Sequence, residues 1–378
     1  MSQKQNFNIP LSNPSRELAR INKYYSNLTK QIKSGNYIGG VNVEVFENNL
    51  SKFFGVDYVL TLNSGTDALA CSLYALGIGK GDEVILPSFT YFATAEVVIN
   101  AGATPVFADV ELDTYCISLE KILPLVTKNT KCIIPVHLYG NNADIENIYH
   151  FCKKNNIYLL EDCAQSFGSK TKSDKYLGTF GNVNAFSTYP SKTLGGVGDG
   201  GFIITNEKKI YEVIKKYRNH GQSDTYEHEI SGINSRMDSI NAFSLNAKLN
   251  IINKIKKSRF QTVKFYNKIF EIYEEIDSFN SKENILYNYY TIQVPSSKRD
   301  SVQQQLNKMR ISTSVYYKKP LHKQKALIKN GFKSSNLQNT DALSKKVLSL
   351  PLYPFMNNTE KGYLKKTITK VIKSHEII

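Results

Sequence analysis

No stretch of the chain approaches the ~18 uninterrupted apolar residues that a membrane span needs. Its first residues, MSQKQNFNIPLSNPSREL, have neither the apolar centre nor the cleavage pattern of a secretory leader, so a cytoplasmic protein is expected. The five cysteines (Cys71, Cys116, Cys132, Cys152 and Cys163) include no Cys-x-x-Cys pair and read as buried free thiols. The six histidines are dispersed, with no His-x-x-x-His pair, so no metal site is expected. Low-complexity linkers and internal repeats are also missing. Acids are scarce only late in the chain: residues 251–378 carry 24 Lys and Arg against 9 Asp and Glu, whereas residues 1–250 carry 24 of each, so the net charge of +15 belongs to the last third. A basic surface suits nucleic acid, an anionic membrane face or a phosphorylated small molecule. These lysines are scattered and no nucleic-acid reading motif accompanies them, so neither nucleic acid nor membrane is the expected partner.

What is present is a rhythm. The 378 residues, 41% of them hydrophobic, exceed one ordinary core and point to two domains. YVLTLN (58–63), EVILPS (83–88), PVFADV (105–110), TKCIIPVHLY (130–139), IYLLED (157–162), AFSTY (185–189) and FIITN (202–206) read as strands. DALACSLYALG, TAEVVINAG and DIENIYHFCKKNN between them read as helices. That alternation predicts an α/β domain over 1–250 with a mainly parallel sheet covered on both faces. From about Asp238 one long helical pattern, running to EIYEEI, leads into a smaller α+β domain over 251–378, with LYNYYTIQVP and ISTSVYY strand-like and DSVQQQLNKMR helical.

Sheets of this kind bind ligands beyond the carboxyl ends of their strands. Ser64-Gly65-Thr66 follows the first strand and opens a helix, which offers free N–H groups and two hydroxyls to an anion such as phosphate. IYLLED ends in Glu161-Asp162, and an acid at a buried strand end needs a cationic partner. AFSTYPSKTLGGVGDGG sets Lys192 beside a spray of glycines whose backbone can approach a ligand closely. GVGDGG matches G-x-G-x-x-G, but a strand follows it rather than a helix, so it is no dinucleotide fingerprint. A lysine shielded from water at such an edge becomes nucleophilic. Phosphate cradle, acid and lysine on three strand ends together describe pyridoxal 5'-phosphate.

NSGTDAL, PSFTYFATAEVV, GATPVFADVELDTYCI, HLYGNNADI, EDCAQSFGS, FSTYPSKTLGGVGDGG, RNHGQ, GINSRMD and LSLPLYP resemble, in that order, the motifs of the sugar-nucleotide aminotransferases of the DegT/DnrJ/EryC1/StrS family. The resemblance runs from about residue 8 to the C-terminus. It implies a fold-type-I pyridoxal phosphate enzyme, a homodimer with active sites at the subunit interface, and L-glutamate as amino donor to a nucleotide-linked keto sugar, as in the making of amino sugars for surface glycans such as lipopolysaccharide. Motif by motif, Lys192 resembles the imine-forming lysine, Asp162 the partner of the pyridine nitrogen, Gln165 the residue near the ring hydroxyl and Tyr91 the aromatic that stacks on the ring. Gly65, Thr66 and Ser187 resemble phosphate ligands, with Asn234 reaching in from the neighbouring subunit. His220, Arg236 and Tyr317 are candidate substrate contacts. Relatives with histidine at the Lys192 position catalyse dehydration, so lysine here implies transamination. Thr188 and Ser191 stand where relatives often have an aromatic and a variable small residue, and Val315-Tyr316-Tyr317-Lys318 replaces a more usual histidine-tyrosine-proline pattern. The loop around Lys192 looks more like that of relatives aminating a dTDP- or UDP-linked 3-oxo sugar than a 4-oxo sugar. A sensor without enzymatic activity and a nucleic-acid binder are the alternatives from other classes.

Overall fold

A computed structural model describes residues 8–278 and 283–377. Residues 1–7, which carry part of the stretch read for a leader, lie outside the described residues.

The first part of the chain gives seven of the eight strands of the main sheet: β1 (Tyr58–Leu62), β2 (Glu83–Pro87), β3 (Thr104–Ala108), β4 (Thr130–Ile133), β5 (Tyr158–Asp162), β6 (Val183–Ser187) and β7 (Gly201–Thr205). A short ribbon, β8 (Gln222–Asp224) and β9 (Glu227–His228), lies apart; β10 (Tyr290–Gln293), β11 (Lys333–Ser334) and β12 (Val347–Leu350) follow. The large sheet runs β1-β7-β6-β5-β4-β2-β3-β11, with β7 antiparallel to both its neighbours and every other pairing parallel. Both faces are buried, as the near-continuous apolar runs require. Along β6, Ala185 faces one core cluster with Leu60, Leu160 and Ile203, while the next residue, Phe186, faces another with Phe54, Phe167 and Phe202. Phe186 and Phe202 stack with ring centroids 4.6 Å apart and hold β6 against β7 from below.

The carboxyl-terminal segment forms the smaller α+β unit around the antiparallel pair β10 and β12, packed by helices Ile252–Phe270, Arg299–Lys308 and Asn358–Ser374. The last helix begins with a capping box, Asn357 and Glu360 satisfying each other's backbone N–H, and Glu360 also pairs with Arg16. Lys333–Ser334 returns to the large sheet, and one buried cluster joins Ile85, Val106 and Ile133 to Tyr290, Leu350 and Val371.

Three expectations change in detail. The fourth strand stops at Ile133 because Pro135 has no N–H to extend the ladder, and Leu138–Gly140 forms a 3-10 turn. The long helical pattern is two helices, Ser239–Leu249 and Ile252–Phe270, broken at Asn250-Ile251. ISTSVYY is no strand: Ile311 and Ser314 each make a single bridge, to Ile9 and Ser349.

Candidate active site

Since β1, β2, β4, β5 and β6 are parallel, their carboxyl ends open on one side of the sheet. A cavity of about 400 Å³ lies there, lined by Ser64, Gly65, Thr66, Tyr91, Thr94, Asp162, Gln165, Ser187, Lys192 and Tyr317 among others. A larger hollow of about 850 Å³ opens elsewhere, around Tyr149, Lys175 and Phe180, and includes none of these groups. Volume does not mark the chemistry; the converging polar groups do.

On the β1 side the Ser64 side chain caps helix Gly65–Ala75 by accepting the Asp67 N–H at 3.0 Å, and Ala68 N–H bonds Ser64 O. The N–H groups of Gly65 and Thr66 therefore have no acceptor among the described residues and stand at the positive end of the helix. A Cβ on Gly65 would come 2.7 Å from Ser187 Cβ, so glycine lets β6 close against this turn and brings the Ser187 hydroxyl beside the two N–H groups. This cradle fits a phosphate.

At the end of β5 neighbouring acids separate, because successive residues of a strand point to opposite faces. Glu161 turns away from the cavity and accepts N–H groups from Gly178, Phe180 and Gly181 at 2.7–2.9 Å. His137 accepts the Ala143 N–H at Nδ1, so Nε2 carries its proton and donates it to Glu161 at 2.9 Å. His137, Glu161 and Cys163 place their ligand atoms within 4.8 Å of one another, but with both imidazole nitrogens engaged this buried cluster reads as structural. Asp162 enters the cavity. Its Oδ2 accepts from Thr94 at 2.9 Å and its Oδ1 from the Ala164 N–H at 3.1 Å. Burial pushes its carboxyl up, opposed by these hydrogen bonds and by the charges of Lys192 and His137. A buried acid so placed suits a cationic ring nitrogen, which would relieve the cost of its ionised form.

Lys192, half-buried, follows β6 and faces the same cavity. Burial lowers its ammonium to about 8, against the opposing pull of Asp162. Gln165 accepts the Tyr139 N–H and donates to the Tyr317 hydroxyl at 3.1 Å. Tyr91 is exposed at the rim, its ring 6.2 Å from that of Tyr317.

His220, Asn234 and Arg236 do not line this cavity. They are exposed together beside the ribbon β8–β9, where Arg236 donates to Asn234 at 3.0 Å and to Asn219 at 3.2 Å. Ser235 between them is buried and donates to Asp67, which turns its two neighbours outward. The sequence reading missed Thr94, Tyr189, Tyr289 and Tyr316 as lining residues. Thr94 lies within a motif singled out above, but its bond to Asp162 spans 68 residues of chain.

The match to the family model of the DegT/DnrJ/EryC1/StrS aminotransferase family covers residues 20–369. The chain belongs to this family. It is 37% identical over 341 residues to the UDP-2-acetamido-2-deoxy-3-oxo-D-glucuronate aminotransferase of Pseudomonas aeruginosa, covering 90% of this chain and 93% of the relative. It is 32% identical over 370 residues to the UDP-N-acetyl-3-dehydro-alpha-D-glucosamine 3-aminotransferase of Acidithiobacillus ferrooxidans, covering 97% and 99%. Among solved structures, NtdA of Bacillus subtilis with bound cofactor PMP superimposes with a TM-score of 0.89 at 28% identity, covering 98% of this chain and 87% of NtdA. The protein is thus an aminotransferase of the fold-type-I class, and pyridoxal 5'-phosphate is its cofactor. Among the described residues no helix is long and apolar enough to cross a membrane.

Proposed function

We propose that this aminotransferase moves an amino group from L-glutamate to the 3-oxo carbon of a UDP- or dTDP-linked sugar, in the cytoplasm, as a homodimer whose active sites draw on both subunits. Residues 1–250 are taken as the cofactor-binding domain and 251–378 as the smaller domain. The observation that carries the reaction is the convergence of Lys192, Asp162 and the Gly65-Thr66-Ser187 cradle on one cavity. The choice of C3 is supported by the two relatives described above, whose names specify a 3-oxo or 3-dehydro sugar.

Pyridoxal phosphate, when bound, supplies an electrophilic carbon for the amine and a ring that withdraws the electrons left when a proton departs. The residues do the rest. Gly65, Thr66 and Ser187 hold the phosphate, Asp162 keeps a proton on the ring nitrogen, Tyr91 covers a ring face and Gln165 meets the ring hydroxyl. Lys192, lowered to about 8, can give up its proton near neutral pH and so can take a proton from the substrate carbon and return it. Its charge state changes at little cost. Tyr317 borders the acceptor side, and the exposed pair Lys318-Lys319 beside it brings the basic excess to the rim, where a nucleoside diphosphate would be attracted. Among the described residues Lys192 is the one cation lining the cavity, which supports His220, Asn234 and Arg236 being delivered from the partner subunit.

Incubation with glutamate and paired 3-oxo and 4-oxo sugars, each as the UDP and dTDP form, followed by NMR of the products, tests the assignment. Nitrogen at C3 is expected. Amination confined to C4 would overturn the regiochemistry and leave the aminotransferase standing.

A further inference from the structure

The glycine loop after Lys192 is gripped from behind by one helix. Asn241 and Lys248 lie seven residues, about two turns, apart on helix Ser239–Leu249 and so share a face. Asn241 Oδ1 accepts the Val197 N–H at 3.0 Å, and its Nδ2 donates to Asp199 O at 2.7 Å. Lys248 Nζ donates to Gly195 O at 2.6 Å and pairs with Glu17 at 3.0 Å. Both side chains are buried, Lys248 with none of its surface exposed. The loop also closes on itself: Lys192 N–H bonds Tyr189 O, Gly196 N–H bonds Thr188 O, and Thr188 N–H bonds Gly200 O. A Cβ on Gly196 would overlap Asn241 Oδ1, so the glycine admits the clamp itself.

A buried lysine that does not line the cavity needs a reason, because an ion pair taken out of water returns little net stability. We infer that Asn241 and Lys248, the latter neutralised by Glu17, are positioning residues that hold the 195–199 loop so that Lys192 is presented to the cofactor at a fixed depth in the cavity. Neither lines the cavity, and both act through the backbone of the loop. An error of about 1 Å at a reacting group can cost ~10²-fold in rate, so such a support is a place where a buried polar cluster earns its keep. Asp162, Asp199 and the tyrosines Tyr289, Tyr316 and Tyr317 line the cavity with Lys192, and of these the clamp bonds Asp199 alone, at its backbone oxygen. The inference rests on the proposed role of Lys192.

The test uses the full-length protein freed of cofactor. It is mixed with pyridoxal phosphate at pH 8 and quenched with borohydride, and peptide mass spectrometry follows the label at Lys192. Asn241→Leu removes both loop bonds at nearly constant size. Glu17→Gln with Lys248→Met removes both charges of the pair together and leaves the nearby buried Arg259 to its carbonyl partners. Each is expected to slow labelling of Lys192 about fivefold or more, and to lower kcat with the KM for sugar nucleotide little changed, while Lys248→Arg keeps most of the rate. Labelling within twofold of wild type in Asn241→Leu, folded by circular dichroism, would overturn the clamp; the double variant is a second measurement should Asn241→Leu not fold. A label settling on another lysine in the wild type would instead sink the role given to Lys192.

Discussion

At the scale of residues, burial disfavours the charged form of both Asp162 and Lys192, and that sets their chemistry. Removing the carboxylate charge in Asp162→Asn keeps shape and most hydrogen bonding but, on the role proposed for it, takes away the charge that would hold a proton on the ring nitrogen. We expect cofactor to remain bound and turnover to fall by about three orders of magnitude, or ~4 kcal/mol in barrier height, read by steady-state kinetics. A near-normal rate would make Asp162 a structural acid. Lys192 makes a prediction with a definite sign. Capture of the cofactor aldehyde needs the neutral amine, and a lysine lowered to about 8 is increasingly protonated below that pH. The rate at which cofactor-free protein takes up pyridoxal phosphate should therefore climb about tenfold per unit at lower pH and level off above about 8, followed by absorbance. A climb continuing to pH 10 would show an unperturbed lysine.

Among elements, what was legible and what was not divides by distance along the chain. Strands β1 to β7 and the residues after them can be read locally, because apolar runs buried on both faces end abruptly in polar groups. Ser64, Asp162 and Lys192 were found that way. The supports could not be. Asn241 reaches Val197 across 44 residues and Lys248 reaches Gly195 across 53, and nothing in either neighbourhood announces the partner. Helices Tyr24–Lys33 and Val41–Phe54 went unread for the same reason, as their apolar faces pair with Ser239–Leu249 much later in the chain. The glycines serve two ends: Gly200 lines the cavity, while Gly196 is needed where the loop meets Asn241. Gly196→Ala should thus cost about 1–3 kcal/mol by overpacking, seen as a lower melting temperature. Gly198→Ala, with open space around its Cα and no positive φ, should be nearly neutral. Equal effects of the two would argue against the clamp geometry.

For the molecule as a whole, the question is where His220, Asn234 and Arg236 act. In one chain they sit outside the cavity, exposed beside a ribbon that includes the 87%-exposed Tyr226. Exposed polar groups of this kind fit the proposed surface that meets a second copy, and in a closed two-fold pair whatever one subunit lends it also receives. This makes the sharing of sites separable by genetics. On the proposed roles, Lys192→Ala would disable the subunit that houses the cavity, and Asn234→Ala combined with Arg236→Ala the subunit that lends to it. Each homodimer should be inactive or nearly so. In a mixed dimer with shared sites, both defects fall on one site and the other is intact. Random reassortment makes about half the dimers mixed, so activity should return to about a quarter of wild type. Without sharing, each site of the mixed dimer keeps one defect and no activity returns. Unfolding and refolding the two variants together, with light scattering to confirm dimers, decides between these outcomes.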